Sequence, residues 1–295
     1  MKAAPPEPDV PVVVGVDGSE AALRAVDWAA DEAALRGAPL RLVYASRWDR
    51  YEGAALARDL EGPPERVHAV EIVDSAARRA RRRRTGPRLA VLTVPEEPEY
   101  ALVRESRAAA LLVTGTRGRG GLAEALLGSV SLTVAGHTHC PMTVVRPGHD
   151  HRTRPHGRVV VGVGDGPATA AAVRFAAEEA RRRGAVLEAV RAWRQPARET
   201  PDTPLAAGEH LRGAHEPRAA EVLDKALGEV PAGVVTHRRT AEGHIRTVLA
   251  DASYAADLLV VGAERRHRPA GHLGRVAHGV LHRSACPVAI VPGPE

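Results

Sequence analysis

Glycines at positions 115, 118 and 128 follow the apolar run LLV and a threonine, and Ser129 stands directly after the last of them. Glycine lets a backbone take positive φ and approach a ligand with no Cβ in the way. Backbone N–H groups at such a turn, beside a helix start, favour phosphate oxygens. The nine residues between Gly118 and Gly128 are too many for one tight turn. They suit a short loop followed by a helical stretch, LAEALL, that would bring Gly128, Ser129 and Ser131 back to the same ligand. Arg117 and Arg119 would add positive charge.

Two familiar phosphate motifs are excluded. Walker A needs a lysine beside Ser or Thr, and this stretch holds no lysine. The dinucleotide fingerprint belongs after a first strand, where GVDGSE lacks its spacing. A glycine-rich turn without a ligand is the plainer reading of an isolated cluster. Both spacings, the trailing serine and the preceding strand, occurring together, argue against it here.

The elements that hold this stretch are legible because the chain repeats itself. VVVGVDGSEAALRAVDWAADEAALRGAPL from Val12 matches VVVGVGDGPATAAAVRFAAEEARRRGAVL from Val159, an offset of 147 residues. The same offset joins Gly115 to Gly262, and an offset of 146 joins Cys140-Pro141 to Cys286-Pro287. One fold is therefore duplicated, with expected domains at 8–147 and 158–293 and a linker at 148–157. Each half reads as strands alternating with helices. PVVVGV is a continuous β-branched run, as expected of a parallel strand covered on both faces. Ser19 can cap the following helix, and Gly37 ends it. Further helices are expected over roughly 66–84, 97–109 and 121–137. This alternation predicts an α/β fold, an open doubly wound sheet with its ligand crevice at the carboxyl ends of the central strands. The Pro- and His-bearing segment 195–218 reads as a loop insertion.

Composition narrows the partners. Hydrophobic residues make up 44% and aromatics only 3%, so the cores must be built from Val, Leu, Ala and Ile. All but two of the 41 basic residues, Lys2 and Lys225, are arginines, a bias that discounts arguments from arginine count. A net charge of +5 permits anionic partners without choosing one. The dense run ARRARRRRTGPR (77–88) lacks the interleaved aromatics of a nucleic-acid site and reads as a solvated helix face. HTHC (137–140) lacks the further ligands of a zinc site. The N-terminal residues lack the apolar stretch of a signal peptide, and no run long enough for a transmembrane helix occurs. A cytoplasmic protein with no nucleic-acid or membrane partner is expected. No G-x-S-x-G elbow or triad points to a hydrolase.

GVDGS after the first strand, G-x2-G-x9-G-S from Gly115 to Ser129, and CP before the fifth strand together resemble the universal stress protein family in its tandem, UspA-like form. The resemblance runs from about Val10 to Pro292. It implies two Rossmann-like (adenine nucleotide alpha hydrolase-like) domains, each a parallel sheet of order 3-2-1-4-5, packed as a pseudo-two-fold pair through their last strands. A further homodimer stays open. It also implies ATP, with or without Mg2+, at the carboxyl ends of strands one and four, in a stress-sensing role with an unidentified protein partner. Carried over by position, Asp17 would contact the ribose hydroxyls, with Gly15 and Val16 lining the site and Ala45 offering backbone atoms to the adenine edge. Thr114, Gly115, Arg117 and Gly118 would border the ribose and phosphates. Gly128, Ser129, Val130 and Ser131 would hold the phosphate chain. An N-terminal helix carboxylate is the alternative reading of Asp17. In the second half Asp17 falls on Gly164, Gly118 on Arg265 and Ser129 on Arg275, so binding is expected in the first half alone. No residue stands out as a general base, so a non-enzyme is expected. A nucleotide-hydrolysing or adenylyl-transferring enzyme and a nucleotide-free scaffold remain the alternatives.

Overall fold

The computed structural model describes residues 10–46, 64–116, 127–146, 155–194, 205–263 and 273–294. They form two compact α/β units. In the first, β1 (Val12–Val16), α1 (Glu20–Arg36), β2 (Leu40–Ala45), α2 (Pro64–Arg83), β3 (Leu89–Val94), α3 (Pro98–Glu105), β4 (Leu111–Gly115), α4 (Ser129–His137) and β5 (Met142–Val145) succeed one another. The second repeats the plan with β6 (Arg158–Gly162), α5 (Ala168–Arg183), β7 (Val186–Trp193), α6 (Leu205–Leu227), β8 (Thr236–Glu242), α7 (Ile245–Ser253), β9 (Leu258–Ala263), α8 (Arg275–Arg283) and β10 (Val288–Pro292). Strand order is β3-β2-β1-β4-β5 in the first unit and β8-β7-β6-β9-β10 in the second. Within each unit, neighbouring strands run parallel. The order and the doubly wound architecture expected from the sequence are both present.

Central strands have no solvent side, which is why they are runs of valine and leucine. Val12, Val13, Val14, Leu111, Leu112 and Val113 are all fully buried. α1 presents alanines to this sheet, burying Ala21, Ala22, Ala25, Ala29, Ala30 and Ala33 along one face. Such small side chains bring the helix axis close to the strands. Ser19 caps α1 by accepting from the Ala22 N–H, and Gly37 ends it in the left-handed region (φ 63°, ψ 24°). Gly184 ends α5 in the same conformation (φ 59°, ψ 32°), so both glycines meet a backbone demand that L side chains rarely satisfy.

Three expectations change. Residues 205–218 are the first part of helix α6, not a loop, and Pro217 lies inside that helix. Packing of Ala219 and Leu223 against the unit's core accompanies this helical path, outweighing the local signal of Pro and Gly. The helix expected from residue 121 begins, among the described residues, at Ser129, because Leu127 and Gly128 are not helical. The arginine run is also more than a solvated face. Arg79 forks onto Asp27 of α1, and Arg83 and Arg84 both reach Asp31, so the run ties α2 to α1. The hydrogen bonds to Asp27 and Asp31 hold Arg79 and Arg83 above their ordinary range. Among the described residues, no helix is long and apolar enough to cross a membrane.

Candidate functional site

A cleft lies at the carboxyl ends of β1, β2 and β4. It is lined by Gly15, Val16, Asp17, Ala45, Thr114, Gly115, Val130 and Ser131, all singled out by the sequence, together with Ala22, Val43, Pro98 and Leu102. Its volume is about 530 Å³ when the part open to solvent is included. Arg117 and Gly118 lie outside the described residues. Ser129, the first residue of α4, is exposed, and Gly128 is its N-cap.

The alternation of a strand explains which groups face the cleft. A Cβ on Gly115 would strike the Ala21 backbone, so this position faces α1. Thr114 therefore faces the other side, toward α3. Gly15 faces that side too, since a Cβ there would come within 3.0 Å of Leu102 Cδ1. Val43 pairs in register with Gly15 and shares its face. Pro98 and Leu102, one turn apart on α3, complete an apolar wall. The sequence reading missed both. The signal was present in the repeat, because Leu249 stands where Leu102 does and packs on Gly162 in the same way.

The polar groups are held from behind. Asp17 Oδ1 accepts from the Ser19 N–H at 2.9 Å and the Ser19 hydroxyl at 2.6 Å. Ser19 Oγ in turn accepts from the Ala22 N–H, so a helix cap and a cleft carboxylate are one chain of hydrogen bonds. Asp17 thus has the helix-start position of the plainer reading and also lines the cleft. The Ser131 hydroxyl donates to the Gly115 carbonyl at 2.7 Å, and the Gly128 N–H donates to the Thr116 carbonyl at 2.5 Å. These two bonds hold the start of α4 beside the end of β4. Among the described residues no side chain caps the N-terminus of α4, where the positive end of the helix dipole and the first free N–H groups of a helix lie. Thr114 Oγ1 is buried with no hydrogen-bond partner among the described residues.

An apolar wall, a fixed carboxylate and free N–H groups can hold a planar, partly apolar ligand with hydroxyls at one end and an anion at the other. The Usp family model, described as the universal stress protein family, matches residues 11–146 and again 156–292. The chain belongs to the universal stress protein family. Universal stress protein Rv1996 of Mycobacterium tuberculosis is 31% identical over 303 residues, covering 96% of this chain and 95% of its own. A universal stress protein from Archaeoglobus fulgidus shares the fold across 97% of this chain and 99% of its own, with a TM-score of 0.70 at 17% identity. A universal stress protein solved in complex with cAMP is 32% identical, covering 46% of this chain and 95% of its own at a TM-score of 0.36.

Within this tandem universal stress protein the two units differ at the cleft. The positions of Asp17, Thr114 and Ser131 are taken in the second unit by Gly164, Val261 and Ala277. Asp165, one place after Gly164, is held by Arg191 through both carboxylate oxygens, while Arg191 also donates to the Val163 carbonyl. All three polar side chains of the first cleft are thus absent from the matching places in the second.

Proposed function

We propose that the cleft of the first unit binds an adenine nucleotide, with ATP, alone or with Mg2+, as the ligand. The observation that carries this reading is the meeting of Asp17, Thr114 and Ser131 with the uncapped start of α4 in one cleft. A carboxylate already oriented by Ser19 can accept two vicinal sugar hydroxyls without rearranging. The apolar wall of Val43, Pro98 and Leu102 suits a purine face, and the backbone of Ala45, which lines the cleft, would bond the adenine edge. N–H groups at the start of α4 then meet the phosphates. Arg117 and Gly118 belong to the same proposal as the border of the ribose and phosphates.

The protein would act in the stress response as a sensor in the cytoplasm, with no catalytic step. Nucleotide binding would favour whichever conformation it fits better and so change the affinity for a protein partner. Isothermal titration with ATP tests the reading directly. Wild type is expected to bind one ATP, and Asp17→Ala is expected to lose most of that affinity. A wild type that takes up no heat and no ATP overturns the proposal.

A further inference from the structure

Of the three polar side chains that line the first cleft among the described residues, two have partners: Asp17 holds Ser19, and Ser131 holds the Gly115 carbonyl. The third, Thr114, is 5% exposed, and its hydroxyl has no partner among the described residues. A buried hydroxyl left unpaired opposes folding. The fold has no need of it, because the matching position on β9 is Val261, a residue of the same shape without the hydroxyl, and equally buried. Packing alone does not call for the threonine, and its side chain lines the cleft.

We infer that the Thr114 hydroxyl is a recognition group that hydrogen-bonds the nucleoside part of the ligand, and not its phosphates. The inference rests on the nucleotide reading given above. Thr114 faces the α3 side of the sheet with Gly15, Val43 and Leu102, at the apolar floor of the cleft. A phosphate carried there would lose its hydration in exchange for a single hydroxyl donor, which is unfavourable. The start of α4 offers it several N–H donors instead. A neutral sugar hydroxyl or ring nitrogen meets no such penalty at the floor.

The test compares wild type with Thr114→Val and Thr114→Ser, using ATP and adenosine as separate probes in competition titrations. Thr114→Val is expected to melt no lower than wild type without ligand, since it removes only an unpaired group. Its affinity is expected to fall about tenfold, by the same factor for ATP and for adenosine, with Thr114→Ser close to wild type. Equal ATP affinity in Thr114→Val and wild type overturns the inference. So does a loss seen with ATP and absent with adenosine, which would move the contact to the phosphates. A ligand-free melting point well below wild type in Thr114→Val overturns it as well, by showing a structural partner. A wild type that binds neither probe removes the nucleotide reading itself, and this inference with it.

Discussion

A Cβ placed on Gly115 would lie 2.6 Å from both the carbonyl carbon and the oxygen of Ala21, so β4 meets the first turn of α1 backbone against backbone. Gly262 stands in the same relation to Ala168, with its oxygen 2.9 Å away. The first glycine of the motif is thus a packing requirement in both units, whatever it does for a ligand. Gly115→Ala and Gly262→Ala are each expected to lower stability by about 1–3 kcal/mol. Denaturant midpoints of the two variants check this, and a loss confined to Gly115 would contradict it.

Gly128 separates ligand from fold more cleanly. Its backbone is extended (φ −66°, ψ 151°), a conformation that any residue adopts, and Gly274 is alike (φ −60°, ψ 150°). Gly128→Ala is expected to fold as wild type and to bind ATP roughly tenfold more weakly, through crowding of the phosphate donors. Gly274→Ala is expected to leave ATP binding unchanged. Calorimetry on both, beside circular dichroism of the free proteins, reads the difference.

Ion pairs of the first unit differ sharply in burial. Glu32 is 1% exposed and bonds Arg36 Nε at 2.8 Å. Arg79 and Asp27 remain 33% and 19% exposed. Glu32→Ala leaves a guanidinium without its buried carboxylate and is expected to cost about 3–5 kcal/mol. Arg79→Ala, at a site that water reaches, is expected to cost about 1 kcal/mol or less and to lose that small effect in high salt. Urea unfolding at low and high sodium chloride compares them.

Burial pushes the Cys140 thiol up to about 11 from an ordinary 9.0, against the weaker opposing effect of its hydrogen bond with Thr138. The unfolded chain therefore gives up this proton before the folded one does. The contribution is fully present below pH 9 and lost as the pH rises through about 11. Cys140→Ala is expected to show a shallower fall in urea midpoint than wild type over that window. A parallel fall in both proteins would rule the effect out.

Much of this architecture is written locally. β-branched runs mark the buried parallel strands, Ser19 and Gly37 mark the ends of α1, and the 147-residue offset exposes the duplication. What escaped the sequence depends on groups far apart in the chain. Pro98 and Leu102 form the cleft wall only because a crossover lays α3 over the end of β2. Arg79 reads as one more arginine until α2 lies beside Asp27. Residues 205–218 carry loop-forming Pro and Gly, yet the helix continues on to Ala219 and Leu223, which a propensity argument cannot see. Gly128, expected inside a helix, instead donates to the Thr116 carbonyl, a bond between residues twelve apart. Arg117 and Gly118 of the motif, in turn, lie outside the described residues.

The buried pair Glu32–Arg36 recurs in the second unit as Glu179–Arg183. Two copies in one chain share their expression level, their cellular surroundings and their history of mutation since duplication. Divergence between them is therefore a natural experiment with its own control. The pair is the same in both copies, whereas Asp17, Thr114 and Ser131 are replaced by Gly164, Val261 and Ala277. What the fold requires can thus be told apart, inside a single gene product, from what only one copy carries.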